Sequence, residues 1–160
     1  MEIRRAIKTD FDQMWLIFQT VIASEDTYVF AANTNVQDAH DYWFGSGVTS
    51  YIAIDNQNIM GMYKLIANQR DLGSHVANAS FMVNPSSRGM GLGRKLGLHC
   101  LSEASQAGFQ AIQFNFVVSS NTAAISLWKS LGFSIVGTSP KSFKHKQLGY
   151  IDTHIMHRYL

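Results

Sequence analysis

The chain has 160 residues, a formal net charge of +2, 46% hydrophobic residues and a single cysteine. This length predicts one domain over residues 1–160, and the near-balanced charge argues against binding to nucleic acid or to an anionic membrane surface. The lone Cys100 excludes an intrachain disulfide framework, and the chain lacks both a stretch of roughly twenty apolar residues and a signal-peptide core. We therefore expect a soluble cytoplasmic protein.

The first part of the chain predicts a mixture of strands and helices. Thr9 or Asp10 can cap a first helix, because a side-chain oxygen there accepts from the unpaired amides of the first turn. Apolar residues recur in that helix at helical spacing and predict a core-facing stripe. The run Asn56-Gln57-Asn58 is turn-prone and fits a short hairpin. The elements are, in order, a strand over 2–7, this helix with Phe11, Met14, Trp15, Phe18 and Ile22 in its stripe, an irregular segment over 24–35, a helix over 38–44, and strands over 48–55 and 59–67.

A third strand, over about 75–83, leads into a glycine-rich loop. Pro85 marks its end, because proline cannot donate to a strand ladder. Side chains alternate between the two faces of a strand. One face carries Asn78, Ser80 and Met82, and the other carries Ala77, Ala79, Phe81 and Val83.

The loop after this strand predicts a pyrophosphate-binding site. A helix opens directly from its glycines, and the first amides of a helix lack partners and favour an anion. Glycine leaves room for a phosphate to approach those amides, and two flanking arginines can pair with its oxygens. The candidate contacts are Arg88, Gly89, Met90, Gly91, Leu92, Gly93 and Arg94.

Two common nucleotide motifs fit this loop poorly. A dinucleotide-binding fingerprint requires an acidic residue about twenty positions downstream. Glu103 lies too early for that role, and residues 111–116 contain no acid. A Walker-type loop requires Gly-Lys followed by Ser or Thr, and Gly93-Arg94-Lys95 does not match that pattern. What remains is Arg-x-x-Gly-x-Gly, formed by Arg88, Gly91 and Gly93.

The second part of the chain predicts a helix, a strand, a second helix and two further strands. The helix over about 92–107 stops at Gly108, a good C-cap, and buries Cys100 where a thiol without a basic neighbour is inert. Two strands joined by a helix should run parallel with a right-handed crossover. The remaining elements are a strand over 111–119 with Ile112, Phe114, Phe116 and Val118 on one side, a helix that Asn121 caps and Gly132 closes, a strand over 133–138, a basic loop over 139–149, and a strand over 150–159.

Two motifs together resemble the GNAT superfamily of N-acetyltransferases. The glycine loop resembles the acyl-coenzyme-A loop of that superfamily, and the last helix matches its second motif, N-x-x-A-x-x-L-[aromatic]-x-x-x-G-F. The resemblance implies a mixed α/β fold with a mostly antiparallel sheet, a splayed pair of parallel strands and about four helices. It also implies acetyl-coenzyme A as cosubstrate. The matching residues of the second motif are Asn121, Ala124, Leu127, Trp128, Gly132 and Phe133.

The resemblance also assigns roles around the thioester. A bulge in the third strand would splay it from the next parallel strand, and the backbone N–H of Met82 or Val83 would polarise the thioester carbonyl, as a fixed dipole does in an oxyanion hole. Asn121 would touch the pantetheine arm. The aromatic position usually holds a tyrosine that protonates the departing thiolate, but here it is Trp128, whose indole cannot give up its proton. We expect Trp128 to pack against the arm or the core.

A narrower resemblance covers roughly residues 41–143. The chain is similar to the fungal N-acetyltransferases that detoxify proline analogues such as azetidine-2-carboxylate, in which tryptophan also stands at the usual tyrosine position. In those enzymes asparagines on the splayed strands engage the acceptor and the reacting carbonyl, which implies Asn78 and Asn115 here. A buried asparagine can equally satisfy backbone groups, and that alternative stays open. The shared pieces are Tyr42-Trp43-Phe44, Ser74-His75, Asn78-Ala79, Val83-Asn84, Arg88-Gly89, Phe114-Asn115, Asn121 and Trp128.

The expected activity is direct acetyl transfer from acetyl-coenzyme A to the amine of a small molecule, such as an amino acid or a proline analogue. A peptide or protein N-acetyltransferase and a non-catalytic acyl-coenzyme-A sensor are the alternatives, and a homodimer stays open. His75 lies about 13 Å along the strand from Ala79, too far for direct proton transfer. We expect no metal site and no nucleic-acid or membrane partner. Candidate acceptor contacts in the early segments are Glu25, Asp26, Tyr28, Tyr42 and Trp43.

Overall fold

The computed structural model describes residues 1–160 and contains seven strands and four α-helices. The helices are α1 (Phe11–Ile22), α2 (Val36–Phe44), α3 (Leu92–Gln106) and α4 (Thr122–Ser130). The strands are β1 (Glu2–Arg5), β2 (Thr49–Asp55), β3 (Asn58–Ala67), β4 (Val76–Val83), β5 (Ala111–Val118), β6 (Ser134–His145) and β7 (Gly149–Tyr159).

All seven strands form one sheet in the order β1-β2-β3-β4-β5-β7-β6. Neighbouring strands are antiparallel except β4 and β5, which are parallel because α3 carries the chain from one to the other. The predicted fold class, a mostly antiparallel sheet with one parallel pair and four helices, is confirmed.

Helices cover both faces of the sheet, each over its own apolar core. The stripe predicted for α1 packs with Trp43 of α2 and Met82 of β4 in a cluster of 13 buried residues. The opposite face packs α3 and α4 in a cluster of 17 buried residues. Cys100 belongs to this second cluster, and burial raises the pKa of its thiol, as expected for an inert cysteine.

The bulge expected in β4 lies in β5 instead. Residues 77–83 of β4 pair with β3 without a register shift. In β5 the register against β7 advances from Phe114 to Val117 while β7 moves only from Met156 to His154, so β5 carries an extra residue. The bulge reverses the alternation after Phe114. Val117 therefore turns into the core, and Phe116, predicted to face the same side as Phe114, is 37% exposed.

The segment predicted as a basic loop over 139–149 is mostly strand. β6 continues to His145 as an edge strand against β7, with a register shift between Ser139 and Phe143. Pro140 is tolerated there because an edge strand has backbone groups that need no ladder partner. No helix of the protein is both long and apolar enough to cross a membrane.

Candidate active site

A slot opens between β4 and β5 because their ladder is short. The strands pair only at Val76 with Ala111 and at Ala77 with Ile112. Beyond those pairs the strands separate, and aromatic side chains occupy the core side of the gap. The Trp128 ring lies 4.7 Å from the rings of both Phe81 and Phe114. The splayed pair is the feature that positions every other part of the site.

The backbone of β4 presents alternate peptide groups to this slot. The N–H of Asn84 donates to the carbonyl of Met60 in β3, whereas the N–H of Phe81 donates to the Tyr28 hydroxyl on the opposite side. Strand alternation then directs the N–H of Met82 toward β3 and the N–H of Val83 toward the slot. Of the two amides named from the sequence, Val83 is the one that faces the slot.

The glycine loop borders a large open cleft. Gly89 and Gly91 have φ of +79° and +71°, and a Cβ added at either one would meet no atom within 4 Å. Gly91 is the N-cap of α3, so the unpaired amides of that helix begin here. The cleft has a volume of about 890 Å³ and contains Arg88, Arg94 and Val83 in its lining, together with Met82, Gly89, Gly91, Leu92, Gly93, Asn121 and Trp128.

Two of the predicted cofactor residues differ from the rest. Met90 is 65% exposed and does not line the cleft. Arg94 does line the cleft, and its guanidinium donates to the hydroxyl of Ser130 in α4 at 2.9 Å. The Arg88 side chain makes no ion pair within the protein, so it is available to an anion.

Glycines also bring α3 close to α4. A Cβ on Gly93 would lie 3.1 Å from Leu127, and a Cβ on Gly97 would lie 2.6 Å from Leu131 and 3.2 Å from Trp128. The close approach places Trp128 and Asn121 beside the glycine loop. Gly93 was assigned to the cofactor from the sequence, and Gly97 was given no packing role, although a glycine inside a helix often marks such packing.

Asn121 and Trp128 lie at opposite ends of α4. Asn121 caps the helix, because its side-chain oxygen accepts from the N–H of Ala124 at 3.2 Å. Trp128 is 8% exposed, packs in the aromatic core and borders the cleft. The expected packing of Trp128 against the core is therefore present.

A second, smaller cavity lies on the other side of the slot. Its volume is about 330 Å³, and its lining contains no Asp, Glu, Lys, Arg or His side chain. Aromatic rings form much of its wall, with Phe30 and Tyr42 in edge-to-face contact at 4.8 Å. Among its polar lining residues are Asn78, Ser80 and Asn115. The cavity is suited to a small molecule that carries a few hydrogen-bonding groups.

The two predicted asparagines both reach this cavity but are held differently. Asn78 donates its side-chain N–H to the carbonyl of Gln113 in β5 at 2.9 Å, bridging the splayed strands. Its side-chain oxygen has no partner in the protein and can accept from a ligand. The exposed Asn115 donates to Asn68 at 2.6 Å and accepts from Gln113 at 3.0 Å. The side-chain oxygen of Asn78 is therefore available to a ligand, whereas the side-chain oxygen of Asn115 is already bonded to Gln113.

Lys64 is a buried cation behind the cavity wall that sequence reasoning missed. Its ammonium lies 3.3 Å from the centre of the Tyr42 ring and donates to the Tyr42 carbonyl at 3.1 Å, near the C-terminal end of α2. Burial lowers the pKa of Lys64 to about 8, and burial raises the pKa of Tyr42 to about 12. The Tyr42 hydroxyl donates to Ser80 inside the cavity. A lysine within the apolar strand sequence MGMYKLIA was the available signal.

The other acceptor candidates divide between the site and its surroundings. Tyr28 lines both the cleft and the cavity, and Asp26 lines the cleft. Glu25 is paired with Lys146 at 3.8 Å, and Trp43 is fully buried in the core. His75 is exposed and lines neither space.

Comparison with known proteins identifies relatives of this architecture. The model of the Acetyltransferase (GNAT) family matches residues 14–133. The chain is 33% identical over 99 residues to the N-acetyltransferase aca1 of Schizosaccharomyces pombe, covering 61% of this chain and 47% of that protein, so the matched region is about half of that relative's length. The structure of a GCN5-related N-acetyltransferase from Kribbella flavida is similar with a TM-score of 0.94 and 36% identity, over 99% and 97% of the two chains.

A more distant structure was solved with acetyl-coenzyme A bound. A phosphinothricin acetyltransferase from Sinorhizobium meliloti, solved in complex with acetyl-coenzyme A, superimposes with a TM-score of 0.88 at 19% identity, over 99% of this chain and 88% of that one. At this identity the likeness shows a shared fold.

Proposed function

Because the chain belongs to the acetyltransferase (GNAT) family, we propose that it transfers the acetyl group of acetyl-coenzyme A to the amine of a small molecule. The observation that carries the proposal is that the glycine-loop cleft and the small cavity meet at the slot. Six residues border both spaces: Thr27, Tyr28, Phe81, Asn121, Ala124 and Trp128. A donor in the cleft and an acceptor in the cavity would meet there.

The cleft supplies the groups that a coenzyme A donor needs. The unpaired amides at the start of α3 and the free Arg88 guanidinium suit its pyrophosphate. Asn121 and Trp128 line the route toward the slot for the pantetheine arm. The slot-facing amide of Val83 provides a fixed dipole for the thioester carbonyl. Catalysis then depends on positioning and carbonyl polarisation, with direct transfer to the amine.

The cavity favours a small acceptor over a peptide. Its volume of about 330 Å³ is at the lower end for small-molecule sites. The Tyr28–Phe30 stretch bounds it on one side, and the Tyr28 hydroxyl fastens that stretch to β4. The free side-chain oxygen of Asn78 can orient an amine N–H. Amino acids and proline analogues, the acceptors implied by the resemblance to the fungal enzymes, are of the right size.

The acceptor must lose its ammonium proton without a strong base inside the cavity. The cavity lining contains no carboxylate, histidine or lysine. We infer that water takes the proton, so the rate should rise with pH as the fraction of free amine increases. The profile should follow the pKa of the amine that is supplied.

An amine panel tests the proposal by release of coenzyme A thiol from acetyl-coenzyme A. The panel contains proline analogues, other amino acids, aromatic amines, polyamines and short peptides. Thiol release with free amino acids or other small amines supports the proposal, whereas release with peptides alone contradicts it in favour of a peptide N-acetyltransferase. Tight binding of acetyl-coenzyme A without release would indicate a sensor, an outcome that the tryptophan at position 128 makes worth measuring.

A further inference from the structure

The side chain of Tyr28 hydrogen-bonds the backbone of β4 at its unpaired edge. It lies between α1 and α2, and its hydroxyl accepts from the N–H of Phe81 at 3.0 Å and donates to the carbonyl of Phe81 at 2.5 Å. The adjacent strand β5 has already separated from β4 at this point. The Tyr28 hydroxyl therefore takes the place of a strand partner at the centre of the slot.

Tyr28 is the only ionisable side chain at the meeting point of the two spaces. Of the six residues that border both the cleft and the cavity, the others are Thr27, Phe81, Asn121, Ala124 and Trp128. None of those five side chains can release a proton in the range where proteins function. The ring of Trp128, which lies 4.7 Å from that of Phe81, fills the position where a phenol on α4 would stand.

Tyr28 keeps its proton at physiological pH, and the desolvation that keeps it protonated also makes it a weaker acid. Desolvation raises the pKa of its phenol well above the usual value, and the nearby Tyr42 raises it further, while the hydrogen bond to Phe81 lowers it. The phenol is therefore protonated throughout the physiological range. Its proton now points at the Phe81 carbonyl, and rotation about the C–O bond redirects it while the ring stays in place.

We propose that Tyr28 is the proton donor to the departing thiolate, a task that the indole at position 128 cannot perform. This inference rests on the proposed function. The amine nitrogen bonds to the acetyl carbon, the C–S bond breaks with its electron pair on sulfur, and the Tyr28 proton moves to that sulfur. The attacking amine gives up one proton to solvent, and solvent returns one to the phenolate, so the products are an N-acetyl amine and free coenzyme A.

The thiol of bound coenzyme A reports this contact without turnover. A hydrogen-bond donor beside sulfur stabilises the thiolate and lowers the pKa of the thiol. Ultraviolet absorbance of the thiolate, titrated in the complex of the full-length protein with coenzyme A, measures that pKa. We expect that pKa to be about one unit higher in Tyr28→Phe than in the wild type. A bound-thiol pKa that does not change in Tyr28→Phe would overturn the inference, because burial of the thiol, which by itself raises its pKa, is the same in both proteins.

A matched control separates this role from a general loss of packing. Tyr63→Phe also removes a buried hydroxyl, which is bonded to His99, and its ring stacks on Phe81 at 5.3 Å, but it lines neither the cleft nor the cavity. We expect kcat to fall about 100-fold in Tyr28→Phe with little change in the KM for acetyl-coenzyme A, and to stay near wild type in Tyr63→Phe. Equal bound-thiol pKa values in Tyr28→Phe and the wild type would refute the assignment.

Calorimetry with coenzyme A separates the two possible failures. If the wild type does not bind coenzyme A, the proposed function fails and this inference with it. If coenzyme A binds and acetyl transfer proceeds, but the bound thiol titrates identically with and without the Tyr28 hydroxyl, only the proton-donor role is wrong.

Discussion

Replacing Gly91 by alanine tests the glycine loop at its most informative position. Gly91 has φ of +71° and is the N-cap of α3. An alanine there adopts a left-handed conformation at a cost of about 1–2 kcal/mol, which lowers the melting temperature by about 2–8 °C in a chain of this size. That loss concerns the fold alone.

The larger expected effect is on acetyl-coenzyme A. A Cβ at Gly91 meets no protein atom within 4 Å, and Gly91 lines the cleft, so the added methyl group would occupy space where a ligand approaches the amides of α3. There it would displace the pyrophosphate from the amides of α3. Each charge-assisted hydrogen bond lost costs about 1.5–3 kcal/mol, so loss of one bond weakens binding by about tenfold to 100-fold.

Gly108→Ala provides the matched control at the other end of α3. Gly108 has φ of +86°, and a Cβ there also meets nothing within 4 Å, but it does not line the cleft. Both variants should lose similar stability in thermal unfolding, while isothermal calorimetry should show weaker acetyl-coenzyme A binding only in Gly91→Ala. Equal affinities in the two variants would refute the assignment of this loop to the pyrophosphate.

Three further changes probe the rest of the protein. Burial lowers the pKa of Lys64 from 10.5 to about 8, so the unfolded state binds more protons between those pH values and the stability of the wild type rises with pH across that window. Lys64→Met lacks this rise, so in chemical unfolding its free energy of unfolding should fall behind that of the wild type by about 2–3 kcal/mol between pH 7 and pH 10.5. Parallel stability curves for the two proteins would contradict this. Asn121→Ala and Asn35→Ala each remove a helix cap and should each cost about 1 kcal/mol, but only Asn121→Ala should raise the KM for acetyl-coenzyme A, which steady-state kinetics measures. Cys100→Ser should retain activity. The native Cys100 thiol should resist iodoacetamide until the protein unfolds, because burial raises its pKa. Rapid labelling of the folded protein would show instead that the thiol is accessible.

The parts of the structure that were predicted from the sequence are those that local chemistry determines. Pro85 ends β4 because it cannot donate to a ladder, and the glycines after it begin a helix whose apolar spacing is visible in the sequence. Asn56 adopts positive φ in the turn between β2 and β3, as its side chain allows. Each of these features depends on a few consecutive residues.

The parts that were missed depend on partners far along the chain. The sequence of β5, AIQFNFVV, allows a regular strand, and its bulge is visible only in its register with β7. Tyr28 bonds a residue 53 positions away, and Lys64 of β3 bonds the carbonyl of Tyr42 in α2. The lysines and Pro140 of β6 are typical of a loop, yet this edge strand tolerates them. Long-range pairing determines all of these features.

The open slot is compatible with a stable protein because side chains replace the missing ladder. Where β5 separates from β4, the side-chain amide of Asn78 bonds the carbonyl of Gln113, and the hydroxyl of Tyr28 bonds both polar groups of Phe81. A strand ladder in this position would have to break before a ligand entered. A side-chain hydrogen bond can be exchanged for a bond to the ligand by rotation of one group, which leaves the sheet intact. The same two residues therefore stabilise the empty slot and line the cavity that we propose for the acceptor.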